Sequence, residues 1–227
     1  MDFSYIGIYL LILVIPLLAS WHIKSTYKKY KKIENKNKLS GFDVARKILD
    51  ANGLKDMYIV EVKGDLTDHY DPSQKVVRLS TDIFHGETIA AAAVAAHECG
   101  HAIQDKEGYK MMRIRSSLVP VVNFVTYSAY IMFVLSIIFQ FFDLLMVSIV
   151  SVFFGLVFQI VTLPVEFNAS SRALKKLKEL ELVDSKEHQG TEKMLKAAAL
   201  TYVAAVLSSL LNLFRLVMMY ANNRDRR

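Results

Sequence analysis

The chain has 227 residues, of which 53% are hydrophobic, and its mean hydropathy of +0.27 is too high for an ordinary soluble domain. That composition excludes a collagen-like or disordered chain, and a single cysteine, Cys99, can form no intrachain disulfide and suits a reducing compartment. The net charge of +6 could suggest nucleic acid, but its densest block of lysines directly follows an apolar segment, which favours a membrane surface and argues against nucleic acid.

That first apolar segment, residues 3–20, contains no Asp, Glu, Lys or Arg and is long enough to approach the width of a bilayer core. Only Met1 and Asp2 precede it, and the positive charges (Lys24, Lys28, Lys29, Lys31, Lys32, Lys36 and Lys38) lie on its C-terminal side. A cleaved signal peptide needs the opposite arrangement. The expectation is an uncleaved anchor with its N-terminus outside and its lysines in the cytoplasm.

Residues 24–117 form the one long polar region, with 17 Lys or Arg against 13 Asp or Glu. Ser40 with Asp43 three residues on reads as a helix N-terminus; Phe42, Ala45, Ile48 and Leu49 supply its apolar face, and Asn52-Gly53 its stop. Three β-like runs follow, Met57–Lys63, Leu66–Tyr70 and Lys75–Ser80, separated by Gly64-Asp65 and by Asp71-Pro72-Ser73-Gln74. These turns predict a small antiparallel meander. Thr88 to Gln104, rich in alanine, predicts a helix too short in its uncharged part to span a membrane.

Residues 118–142 and 144–164 are charge-free and separated only by Asp143, which predicts a tight transmembrane hairpin leaving the bilayer on the side it entered. Pro164 is expected to mark a break. A polar helical stretch, 165–196, carries 7 basic and 6 acidic residues; a last charge-free segment, 197–214, precedes a basic tail with Arg215, Arg224, Arg226 and Arg227. The fold expected is a mainly α membrane protein of about four transmembrane helices, with a small α+β region made of the short antiparallel meander and the alanine-rich helix. Its divisions are an anchor (1–23), a cytoplasmic region (24–117), the hairpin (118–164), a second cytoplasmic helix (165–196) and a C-terminal membrane helix with its tail (197–227). With the polar regions inside, 24 of the 28 Lys and Arg are cytoplasmic, as the positive-inside rule requires. The four tail arginines oppose a final crossing, so a re-entrant or interfacial last helix is the alternative.

The chemistry is carried by His97-Glu98-Cys99-Gly100-His101, an H-E-x-x-H on the alanine-rich helix. Four residues return a helix to the same face, so both imidazoles can ligate one zinc ion while Glu98 lies beside them as general base toward a zinc-activated water. The plain alternative is two histidines satisfied by hydrogen bonds in a core. Catalytic zinc takes three protein ligands and keeps a position open. Glu166, just past the hairpin, is the candidate third, because two crossings return it to the surface that holds His101. The bland reading of Glu166 is an acid favoured at a helix start. Cys99, two residues from each histidine, falls on the far side of the helix and reads as a packing residue.

At these residues the chain resembles the YugP-type membrane zinc metallopeptidases of bacteria. The likeness lies in His97 to His101, in Glu166-Phe167-Asn168-Ala169-Ser170, in Leu66-Thr67-Asp68-His69-Tyr70-Asp71-Pro72 and in Ala197-Ala198-Ala199-Leu200-Thr201-Tyr202-Val203, and it covers nearly the whole chain. It is more distantly similar to the HtpX and CAAX-prenyl-protease group of gluzincins, where a Glu in an E-x-x-A-D pattern is the third zinc ligand. The resemblance implies that the α+β region is zincin-like, with the alanine-rich helix as its active-site helix, and that one Zn2+ per chain is held by His97, His101 and Glu166, with Ser170 standing where the wider group has an Asp that orients a zinc-binding histidine. It also implies a strand beside the active site that carries His69 and Tyr70. Alternation sends those two side chains to opposite faces, so at most one points at the metal; Tyr202 is a further candidate for substrate contact.

The function implied is an integral-membrane zinc endopeptidase with its site facing the cytoplasm. Its partners would be the lipid bilayer and a peptide or protein substrate, membrane proteins included. A catalytically silent zinc-binding scaffold or sensor is the reading from another class. An intramembrane protease would need a later L-D-G, which is lacking, and no phosphate-binding G-x-x-x-x-G-K-[ST] occurs.

Overall fold

The computed structural model describes residues 6–139 and 144–224. In chain order the elements are α1 (Ile6–Tyr30), α2 (Gly41–Ala51), β1 (Tyr58–Val62), β2 (His69–Asp71), β3 (Val76–Ser80), α3 (Thr81–His85), α4 (Ile89–Lys106), α5 (Lys110–Phe139), α6 (Leu144–Glu179) and α7 (Ser185–Arg224). The protein is therefore mostly helical with one small sheet. Met1 and Asp2, the expected hairpin turn at Asp143, and the tail residues Arg226 and Arg227 lie outside the described residues.

Packing divides the chain into two units, residues 1–20, 113–163 and 201–227 in one and residues 21–112 and 164–200 in the other. The first unit is apolar on its outside: Leu10, Leu13, Leu17, Phe124, Phe153, Ile160, Leu210 and Phe214 are all exposed. Exposure on that scale marks a surface made for lipid. Three helices among the described residues, α1, α6 and α7, are long and apolar enough to cross a membrane by length and composition. The fourth expected span, 118–142, falls on α5 and runs past the described residues. Within this unit the Arg215 guanidinium of α7 lies 4.4 Å over the ring of Tyr9 in α1 and donates to Asn212 Oδ1 at 2.6 Å.

The second unit is built around α4. Its alanines Ala90 to Ala93, Ala95, Ala96 and Ala102 are buried, and small side chains let α2, the sheet and α6 approach its axis. Ser40 caps α2 as its spacing predicts: Ser40 Oγ accepts the Asp43 N–H at 3.1 Å and Asp43 Oδ2 accepts the Ser40 N–H at 3.0 Å. Asn52 ends the helix, and Gly53 follows at φ +67°.

Three expectations are corrected. The sheet is not an antiparallel meander. Its order is β1-β3-β2, with β1 parallel to β3 and only β2 antiparallel to it. Gly64 (φ +108°) and Leu66 (φ +55°) do not fold β1 back on itself but carry the chain past the place that β3 fills. Asp68 then accepts from the Ser80 N–H and hydroxyl, tying the start of β2 to the end of β3. Pro164 does not break α6, which continues through it. A proline removes one backbone donor, and a long helix among apolar neighbours absorbs that loss. Finally, residues 165–196 are not one helix. They are the end of α6 and the start of α7, joined by a turn in which Glu181 takes φ +50°. Asp184 Oδ1 accepts the Glu187 N–H and Glu187 Oε2 the Asp184 N–H, a capping box that restarts the helix.

The Ser40 cap can be tested directly. Ser40→Ala is expected to destabilise the protein by about 1 kcal/mol, read as a lowered thermal midpoint in detergent.

Candidate metal centre

The alanine-rich sequence from Ile89 is a helix because Thr88 caps it, accepting the Ala91 N–H at 3.2 Å, and because alanine costs least in that conformation. That helix presents His97 and His101 one turn apart, with ring centroids 4.8 Å from one another. Facing them is α6, and the distance between the two helices is set by Gly100. A β-carbon there would lie 2.5 Å from the carbonyl oxygen of Ala169, so only glycine permits this approach.

Glu166, nearly fully buried, thereby reaches both imidazoles. Its Oε2 is 3.3 Å from His97 Nε2 and 3.6 Å from His101 Nε2, and the three potential ligand atoms lie within 4.8 Å of one another. The other ring nitrogens are engaged elsewhere. Ser170 Oγ meets His97 Nδ1 at 3.2 Å, and Gln104 Oε1 meets His101 Nδ1 at 3.0 Å. Both Nε2 atoms are left facing the carboxylate, so two imidazole nitrogens and one carboxylate oxygen converge with their outer nitrogens held. This donor set fits a catalytic zinc ion. Burial alone would lower the His101 pKa, but its hydrogen bond to Glu166 and the nearby charge of Glu98 reverse the effect and hold it above the ordinary imidazole value.

Glu98 points away from α6 toward the sheet. It is buried, and its Oε2 accepts the backbone N–H of Tyr70 at 2.8 Å. Since β3 flanks β2 on one side only, the Tyr70 amide is on the strand's outer edge. The Tyr70 phenol donates to Asp105 Oδ2 at 2.7 Å, and burial with that bond pushes its pKa up. His69 is exposed on the opposite face, its Nδ1 2.8 Å from the Thr67 carbonyl. Tyr202 lies on α7, in the other unit. Cys99 is buried against α2, with its thiol 3.6 Å from the Ala45 carbonyl and its pKa pushed up by burial.

The structure also brings in residues that the motifs did not indicate. Gln104 follows His101 by three residues, the spacing at which helix side chains meet. Arg172, on α6, forms a second such pair with Asn168, four residues before it and inside the block that begins at Glu166. Gly100 is inside the motif, in a position where any residue satisfies the pattern.

Two comparisons bear on the chain. Residues 5–221 match the family described as "Putative neutral zinc metallopeptidase". The chain is 44% identical over 207 residues to the protein named "Putative membrane protease YugP" of Bacillus subtilis (strain 168), covering 91% of this chain and 92% of that one. No solved structure gives a significant match.

The α4–α6 approach yields a prediction. Gly100→Ala forces the helices apart, at about 1–3 kcal/mol for overpacking, and should lower zinc content by moving Glu166 from the histidines. Gly155→Ala, with open space around its β-carbon position, should leave zinc content unchanged; the check is metal analysis of both purified variants.

Proposed function

The chain belongs to the neutral zinc metallopeptidase family, and from that premise we propose that it is a membrane endopeptidase whose catalytic ion is held by His97, His101 and Glu166. The observation that carries the reading is the convergence of these three ligand atoms beside Glu98, the buried carboxylate of the motif, which is bound to the sheet and leaves the ligand positions to the other three. Zinc, when bound, supplies a Lewis acid that polarises the scissile carbonyl and makes water acidic near neutral pH.

The residues of the chain do the rest. Glu98 takes a proton from the attacking water and returns it to the leaving amine. The Tyr70 N–H holds Glu98 Oε2, which orients the carboxylate and leaves Oε1 for the proton. Ser170 and Gln104 keep the imidazoles turned with Nε2 inward. A peptide substrate lies extended beside β2, pairing with the edge groups that Glu98 does not hold, where backbone hydrogen bonds supply affinity. His69, exposed on that strand, is the candidate for contact with the bound peptide.

The site is proposed to face the cytoplasm, because that orientation places 24 of 28 basic residues inside. The contact of Arg215 with Tyr9 supports a last helix that crosses completely. It sets Arg215 level with the start of α1 and gives the guanidinium an aromatic partner. A cysteine at Asn223 should then react with an impermeant label from outside only; reaction from inside overturns this topology.

The enzyme reading has its own test, zinc content and peptide cleavage measured together in one detergent. Glu98→Gln keeps shape but cannot accept a proton, so it should retain zinc and lose about 10²–10⁴-fold in rate. His97→Ala and Glu166→Ala should lose zinc and activity together. Cleavage at the wild-type rate by Glu98→Gln would sink the mechanism, and a wild-type protein that binds zinc but cleaves nothing would favour the scaffold.

A further inference from the structure

Gln104 is fully buried between the two helices that carry the metal-binding residues, and every polar atom of its side chain is used. Its Oε1 faces His101 Nδ1 at 3.0 Å. Its Nε2 donates to the Val165 carbonyl at 2.8 Å and to Asn168 Oδ1 at 3.0 Å. Asn168 Oδ1 also accepts from Arg172 Nε at 2.7 Å, and Arg172 Nη1 pairs with Glu107 Oε2 at 2.7 Å.

The direction of each bond in this row is forced at two points, at the Val165 carbonyl, which can only accept, and at Arg172. Arg172 has donors and no acceptor, so the Asn168 atom facing it must be the carbonyl oxygen. That oxygen, together with the Val165 carbonyl, can be met only by the NH2 end of Gln104. The Gln104 amide is thereby oriented with its oxygen toward His101, which must present Nδ1–H and keep the Nε2 lone pair for a metal. We propose that Arg172, Asn168 and Gln104 form a positioning relay that selects the metal-binding tautomer of His101, with Arg172, about two turns of α6 beyond Glu166, as the anchor that keeps the Asn168 oxygen in step with the Val165 carbonyl. The inference rests on the reading of His101 as a zinc ligand. It assigns the partially exposed Arg172 a role in metal affinity that no contact with the metal-binding residues would suggest.

A relay of this kind differs from a packing role in what rescues it, and from a simple electrostatic role in moving the proton between the His101 ring nitrogens. Any donor-only side chain at residue 172 should serve, whereas the ion pair with Glu107 should be dispensable. The experiment is zinc affinity by chelator competition on the full chain in detergent, with 15N shifts of the zinc-loaded His101 ring reporting which nitrogen carries the proton. Arg172→Leu is expected to weaken zinc binding about 10–100-fold, the usual effect of losing a partner that holds a metal-binding histidine, and Arg172→Lys to restore most of it. Glu107→Gln should bind zinc as the wild type does. Gln104→Leu should match Arg172→Leu; should the buried change prevent folding, the Arg172 and Glu107 variants decide alone. Wild-type affinity in Arg172→Leu, or equal loss in Arg172→Leu and Arg172→Lys, overturns the relay. Failure of the wild type itself to bind zinc would overturn the metal centre instead, so the two failures are distinguishable.

Discussion

The missing β-carbon at Gly100 is the constraint from which the site follows. With the Ala169 carbonyl only 2.5 Å from where that carbon would stand, α4 and α6 meet backbone to backbone. Glu166 lies three residues before Ala169 and Ser170 one after it. Both reach the histidines because no side chain keeps the helices apart. Ala169 is itself fully buried, so the contact is small against small on both sides. A cluster of one carboxylate and two imidazoles could not otherwise close to 4.8 Å without longer side chains, which lose more rotamer entropy on being ordered.

One helix then distributes three tasks by angle. At about 100° per residue, His97, Gly100, His101 and Gln104 fall within about 100° of one another and face α6. Glu98 and Asp105, seven residues apart, fall together on the next face and receive Tyr70, amide on one and phenol on the other. Cys99 falls on the third face and packs on α2. In the proposed mechanism, metal-holding, proton transfer and core packing are thereby kept apart by rotation alone, so the base would be anchored to the sheet without disturbing the helix contact between α4 and α6.

That angular logic was legible in the sequence wherever the information is local. The H-E-x-x-H spacing, the Ser40–Asp43 cap and the charge-free runs all depend on residues within a turn or a segment of one another. The strand order was not legible, because the turn residues at Gly64-Asp65 say where a strand ends but not which strand it will meet. Pairing of β1 with β3 joins residues 18 apart in register, Tyr58 with Val76, and is decided by burial of Val77 and Leu79 under α4. Pro164 misled for the opposite reason, since a local rule about helix breaking yields to the long apolar segment that contains it. Gln104 escaped notice because its partners, Val165 and Asn168, are more than 60 residues away and an amide carries no motif.

The choice of neutral groups behind the histidines has an electrostatic logic. Two carboxylates touch or adjoin the cluster, Glu166 and Glu98, both buried. With a divalent cation bound their charges sum with it to zero, so the buried centre carries no net charge to desolvate. An acid in place of Ser170 or Gln104 would raise the basicity of its imidazole but add an uncompensated negative charge to the same low-dielectric space. A hydroxyl and an amide impose the tautomer without that charge. The cost of neutrality is direction, because an amide can turn end for end where a carboxylate cannot. The amide of Gln104 takes its sense from the Val165 carbonyl, which can only accept, but the neighbouring amide of Asn168 would oppose that sense if it turned, and holding it is the part that a permanently charged, donor-only guanidinium at Arg172 is suited to play.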